Sequence, residues 1–243
     1  MTTNDQAGPG HRLLAGGGSF KVEFSEVTLK VRSNFAFHHL QSAVQAALAA
    51  YEIEKANPNV EHGPWFDGML RAVPVAITMA AAALEANANE IVQDILDTGK
   101  LGGEDIKNGQ RQLLSGIKDN RSGNSAEKYR TLAYLFDKDL DLASVPWRDA
   151  KDLVEFRNHI MHFKPAWSDN DDVHDGKLVK RLKPRLPISP GYRTAFQFPY
   201  GFMTYGCAKW CVETVLTFAE YYAKLIGANN RFAASVCVLP PVP

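Results

Sequence analysis

The sequence predicts a mostly α fold, an up-and-down helical bundle with a short N-terminal β segment. Two observations carry this. Apolar residues recur at three- and four-residue spacing in several long segments, the period of a helix with one buried face. Two-residue alternation is confined to one stretch, Phe20, Val22, Phe24 and then Val27, Leu29, Val31, which reads as a strand or short hairpin.

In chain order, residues 1–32 form an N-terminal arm whose first nineteen residues are rich in Gly and small polar side chains. A helical domain spans 33–227. Ser33 and Asn34 read as caps of a first helix with Phe37, Leu40, Val44, Leu48 and Tyr51 as its stripe, ending before Asn57-Pro58. A second helix follows Gly68, with Pro74 in its first turn and Ile77, Leu84, Ile91 and Ile95 inward. A weaker helical piece covers Ile106–Ile117 between turn-rich segments. Ser125 caps a third helix carrying Tyr129, Leu132 and Phe136. Ser144-Val145-Pro146 opens a fourth, which Pro165 ends by disfavouring the helical state at Lys164. Residues 165–200, with Pro184, Pro187, Pro190 and Pro199, are long for a loop and read as a functional or packed insertion. The closing helix runs from about Gly201 to Ile226 with Cys207, Trp210, Thr214, Phe218, Tyr221 and Leu225 inward and Gly227 as its stop, before a tail at 228–243.

The 27 basic and 27 acidic residues balance, so no global field draws in nucleic acid or an anionic membrane, and any phosphate-binding surface is local. Cys207, Cys211 and Cys237 are an odd set, which does not read as a disulfide framework and fits a reducing cytoplasm. The first residues lack the basic segment and apolar run of a signal peptide. The longest apolar stretch, Ala72–Leu84, is too short to cross a bilayer, so no membrane span is expected. Phosphate-loop, nucleophile-elbow and dinucleotide motifs are lacking, so no cofactor is expected.

The chemistry concentrates on the fourth helix. Ala150, Leu153, Val154, Arg157 and Met161 fall on one face, so Arg157 interrupts an apolar stripe and needs a carboxylate, a phosphate or a groove open to water. Beside it runs a polar line, Lys151, Glu155, Asn158 and His162. A cation, an amide and a titratable ring thus meet near a helix end. The Arg157 and His162 directions nonetheless differ by about 140 degrees on an ideal wheel, so that one copy does not surround a phosphate unaided. Cleavage of RNA through the 2′-hydroxyl needs a base, an acid and a donor for phosphate charge, which His and Arg supply without a metal. The plain counter-reading is that basic residues are favoured in a helix's last turn by the macrodipole. A zinc site from His159, His162, Cys207 and Cys211 is disfavoured, because His159 and His162 point apart and the cysteines sit at core spacing. Lys177, Lys180, Arg181, Lys183 and Arg185 offer phosphate contacts, although Asp169, Asp171, Asp172 and Asp175 precede them and can neutralise them as a solvated loop.

Leu153–Trp167, LVEFRNHIMHFKPAW, resembles the R-x4-6-H element of the HEPN superfamily in its RNxxxH form. Ala83–Asn89 is similar to the L-E-a-x-x-N pattern often seen in those families, and Tyr205–Trp210 resembles a stretch of uncharacterised bacterial relatives. The resemblance covers roughly 35–227. It implies a HEPN-like bundle in which Arg157 and His162 are the catalytic pair, Asn158 supports them, and Glu85 or Asn89 adds a polar contact from the second helix. It also implies a homodimer with two motifs facing one cleft. The expected function is a metal-independent endoribonuclease leaving 2′,3′-cyclic phosphate ends, a toxin or antiviral effector with an RNA substrate and a neutralising or activating protein partner. The alternative is a non-catalytic helical dimer that binds a protein partner or nucleic acid.

Overall fold

The computed structural model describes residues 21–25, 28–58, 63–119, 125–165, 167, 171–188, 198–233 and 238–243. Strands β1 (Lys21–Ser25) and β2 (Thr28–Arg32) pair antiparallel with Val22 opposite Val31 and Phe24 opposite Leu29, the hairpin expected from the alternation. Phe20 and Val27 lie outside the described residues.

Helix α1 (Ala36–Ala56) begins after Phe35, not at a Ser or Asn cap. The N–H groups of Phe35 and Ala36 donate instead to the Glu90 carboxylate, at 2.7 and 2.9 Å. A charged acceptor from another helix satisfies the orphan donors that a local cap would serve. The buried face of α1 is built from Ala36, Leu40, Ala43, Ala47 and Ala50, while Phe37, Val44, Leu48 and Tyr51 lie half-buried beside it. Alanines win the centre because the neighbouring helix runs close. A Cβ added at Gly68 would stand 2.9 Å from Ile53 Cδ1.

That neighbour, α2 (Phe66–Thr98), is 33 residues long and buries Ile77, Leu84, Ile91 and Ile95 as the periodicity requires. It starts eight residues before Pro74, which therefore lies inside the helix and not in its first turn. The lost N–H costs one backbone bond, and the adjoining buried residues Met69, Val73, Ala76 and Ile77 offset it by packing on both sides of the proline. By length and composition α2 is apolar enough to cross a membrane, with a mean hydropathy of 1.5 in its most apolar window. Core helices of soluble proteins pass the same test, and here α1 and later helices pack around it.

Gly99, at φ +68°, ends α2 in the left-handed conformation that glycine adopts freely. A second hairpin follows, β3 (Lys100–Leu101) with β4 (Glu104–Asp105), which the sequence does not predict. Helices α3 (Asn108–Asp119) and α4 (Ser125–Leu135) then bring Tyr129 into the core. Its hydroxyl donates to the Leu84 carbonyl at 2.8 Å and accepts from Asn87 Nδ2 at 2.9 Å, and the Tyr222 hydroxyl donates to the Tyr129 carbonyl at 2.7 Å. Burial pushes both phenols well above the usual tyrosine range.

Helix α5 (Val145–Met161) opens at Ser144 with Pro146 in its first turn, as expected. The described part of the 165–200 insertion carries α6 (Asp171–His174), α7 (Lys177–Leu182) and a 3-10 turn at Tyr200–Phe202, and it buries Leu178, Val179, Leu182 and Leu186. The last helix, α8 (Tyr205–Ile226), starts later than Gly201, because Thr204 caps it by accepting the Cys207 N–H. Gly227 stops it at φ +69°. Its buried face runs through Cys207, Cys211, Val215, Phe218, Tyr222 and Ile226, leaving Trp210, Tyr221 and Leu225 half-buried.

Four long helices make the bundle. Gly68 meets Ile53 while Glu90 meets Ala36, so α1 and α2 run antiparallel. Arg157 meets Glu85 and Met161 meets Thr78, so α5 also opposes α2. Trp147 packs near Phe218, which sets α5 against α8, and Phe156 packs on Phe202 of the 3-10 turn that precedes α8. The chain is therefore mostly α, a helical bundle with a short N-terminal β hairpin.

Candidate functional site

The apolar stripe of α5 leaves the core as it nears its C-terminus. Ala150, Leu153 and Val154 are buried, Arg157 is partly covered, and Met161 is 58% exposed. Phe156, which the stripe does not include, is fully buried between Phe198 and Phe202. Arg157 answers its need for a partner locally. Its Nη2 donates to Glu85 Oε2 at 3.1 Å, with the Arg side chain 26% exposed.

Asn158 and His162 turn the other way. Both line a groove of about 650 Å³ with His159, Lys164, Lys177 and Phe198. His162 is the C-cap residue of α5, its N–H donating to the Asn158 carbonyl at 3.0 Å. Its imidazole is exposed and makes no hydrogen bond among the described residues. His159 is fixed, with Nδ1 2.9 Å from the Glu155 carbonyl and its ring edge-on to Phe198.

The structure thus joins Arg157 to Glu85 and joins Asn158 to His162, but it does not bring the two pairs into one groove. A five-residue step turns about 140 degrees on an ideal helix, so the divergence is built into the spacing. Asn89, one turn beyond Glu85, accepts from Lys128 Nζ at 2.8 Å and lies apart from the His162 groove.

Of the basic residues proposed for phosphate, Lys177 lines the His162 groove and Lys180 is exposed on α7. Arg181 is committed to acids. It pairs with Asp152 at 2.9 Å and Glu155 at 2.6 Å, while Arg185 holds Asp149 and Asp152. Burial lifts the Asp149 carboxyl above its ordinary range, against the lowering effect of Arg185. Among the described residues the insertion is therefore clamped onto α5 by long-range ion pairs more than it is neutralised by its own preceding aspartates, of which Asp169 and the Asp171 side chain lie outside the described residues. Only Lys183 keeps such a local partner, Asp175, among the described residues.

Cys207 and Cys211 are unbridged and lie in the core. Among the described residues no three His, Cys, Asp or Glu side chains converge as a metal site would require. A feature the sequence reading missed is Lys128, a buried lysine on α4. The polar residues Glu85, Asn89 and Gln93, four apart on an otherwise apolar helix, were its available signal.

Neither a protein-family model, nor a curated protein, nor a solved structure matches this chain.

Proposed function

We propose that the protein is a metal-independent endoribonuclease of HEPN type that works as a homodimer. The observation carrying this reading is the split of the α5 motif: an exposed, uncommitted imidazole beside an amide in one groove, and an aimed guanidinium on the adjoining face. His162 exchanges the proton of the 2′-hydroxyl or of the leaving 5′-oxygen, and Arg157 stabilises charge on the phosphate. Glu85 orients the guanidinium, and Asn158 supports the ring. Because one copy cannot close both groups around one phosphate, a twofold partner completes the site. The outer face beside Arg157 suits such a contact, with Val75 47% and Met161 58% exposed around the Thr78–Met161 pair.

The test is cleavage of single-stranded RNA in chelator by the purified protein, with end-group analysis. Metal-independent cutting that leaves 2′,3′-cyclic phosphate and is abolished by His162→Ala is expected. Cutting that stops in chelator and returns with a divalent ion overturns the mechanism. A cytoplasmic role as a toxin or antiviral effector follows from the resemblance, and growth on expressing wild type against His162→Ala reads it directly.

One observation favours the other reading, a non-catalytic dimer that binds a protein partner or nucleic acid. The Glu85 ion pair already satisfies Arg157 without a substrate. Wild-type protein that dimerises, binds RNA and never cuts it selects that reading.

A further inference from the structure

The insertion after α5 carries a histidine that the proposed chemistry does not use. His174 ends α6, a single helical turn, and is only 6% exposed. One turn of helix is not stable alone, so what it ties decides where it sits. Its Nδ1 lies 3.1 Å from the Phe198 nitrogen, and its Nε2 lies 2.9 Å from the Trp167 carbonyl oxygen. The Phe198 N–H can only donate and the carbonyl can only accept. Nδ1 is therefore bare and Nε2 carries the proton. One neutral tautomer serves both partners, and no other protonation state of the ring does.

These two bonds reach the His162 groove. Phe198 is its aromatic wall, with His159 edge-on at 6.3 Å and Phe163 at 6.2 Å between ring centroids. Val173, the residue before His174, lines the same groove. Gly176 closes the turn behind them, where a Cβ would fall 2.7 Å from the Asp172 carbonyl oxygen. His174 thus fastens the stretch that leaves α5, at Trp167, to the backbone of the wall, at Phe198.

We propose that His174, as its Nε2–H tautomer, is a positioning residue of the His162 groove and sets the Phe198 wall against which bound RNA rests. It touches neither RNA nor the reacting atoms and acts through the Phe198 backbone. Without the Nδ1 acceptor the buried Phe198 N–H is stranded, and the wall shifts until that group finds another partner. A strand that needs the wall in place then binds only the fraction of molecules that holds it there. The setting of the wall rests on the two hydrogen bonds, and its consequence for RNA rests on the ribonuclease reading.

Two substitutions in the full-length protein separate the bonds. Asn places its oxygen two bonds from Cβ, as Nδ1 is placed, and Gln places its polar atoms three bonds from Cβ, as Nε2 is placed. His174→Asn therefore keeps an acceptor for Phe198, whereas His174→Gln keeps the Trp167 link and strands the N–H. Nitrogen NMR of the wild-type rings, which needs no variant to fold, is expected to show a bare Nδ1 and a protonated Nε2 on His174. The reverse tautomer or a doubly protonated ring overturns the proposal. The His159 ring signals, displaced by the neighbouring Phe198 ring, stay at wild-type positions in His174→Asn and move in His174→Gln. Binding of a fluorescein-labelled oligoadenylate is read by anisotropy in the His162→Ala background, which leaves RNA intact. There His174→Asn binds as the parent does and His174→Gln binds about tenfold more weakly, the factor for one lost hydrogen bond. Equal His159 signals in the two variants overturn the proposal, and so does a moved ring with unchanged RNA affinity. If the parent binds no RNA, the ribonuclease reading fails and the ring signals alone decide whether His174 sets the wall.

Discussion

Tyr129→Phe removes one oxygen from the centre of the bundle. In the wild type that oxygen joins α4 to α2 twice, donating to the Leu84 carbonyl and accepting from Asn87 Nδ2. The Leu84 carbonyl keeps its place in the helical ladder and loses little. Asn87 is only 4% exposed and is left with a buried donor facing a ring edge. Leaving such a group unpaired costs about 1–3 kcal/mol, and for a chain of this size each kcal/mol moves Tm by roughly 2–4 °C. The assay is urea unfolding of wild type, Tyr129→Phe, Asn87→Leu and the double variant. If the penalty is the stranded donor, removing it with Asn87→Leu in the phenylalanine background recovers part of the loss, and the cycle closes with a coupling above about 1 kcal/mol. A single variant within about 0.5 kcal/mol of wild type, or additive losses, would refute the reasoning.

Four further outcomes are expected. Arg157→Lys loses most RNA cleavage, because an ammonium keeps the charge but not the planar fork that Glu85 aims; near-normal cutting would make Arg157 a diffuse charge. Mixing inactive Arg157→Ala and His162→Ala chains restores up to about one quarter of wild-type activity if each site takes Arg157 from one subunit and His162 from the other, since half the dimers are mixed and each has one intact site. No recovery after confirmed subunit exchange rejects that sharing. Glu54, half-buried, is pushed above its ordinary range by burial despite the Tyr205 N–H donating to it at 2.7 Å. The folded state therefore binds its proton more tightly than the unfolded chain, and this contribution to stability is full below the ordinary glutamate value near about 4.3 and lost as pH rises through the higher folded value. Glu54→Gln should lack that loss, so urea midpoints in which wild type gains on the variant with rising pH would contradict it. Gly206→Ala should cost about 1–3 kcal/mol, because its Cβ would fall 2.2 Å from Pro187 Cγ; chemical denaturation reads this directly.

The long helices were legible because their buried faces repeat at the helical period, as Ile77, Leu84, Ile91 and Ile95 do. What escaped was decided over long sequence separations. Glu90 caps α1 from 55 residues away, so Ser33 and Asn34 were the reasonable local choice and the wrong one. Pro74 read as a helix start because local rules place proline there, while packing on both flanks carries the helix through it. Arg181 looked free for phosphate because its acid partners, Asp152 and Glu155, sit on another helix. The line of Asn158 and His162 was readable from spacing alone, and so was the divergence of Arg157. Lys128 was marked only indirectly, by Glu85, Asn89 and Gln93 on α2, since nothing in SAEKYR shows that lysine as buried until α4 docks on α2.

The acidic end of α2 also decides how the protein can be rewired. Arg32, just before α1, and Arg231, just after α8, both dock on Asp94. The chain therefore enters α1 and leaves α8 at one pole, after which Pro240 of the tail docks at the start of α8, its carbonyl accepting from Tyr205 and Lys209. Met161 lies near Thr78, about 24 Å from Asp94 along α2 at 1.5 Å per residue. Reporters or affinity handles grafted beside Arg32 or Arg231 would leave the opposite pole, with its imidazole, unobstructed.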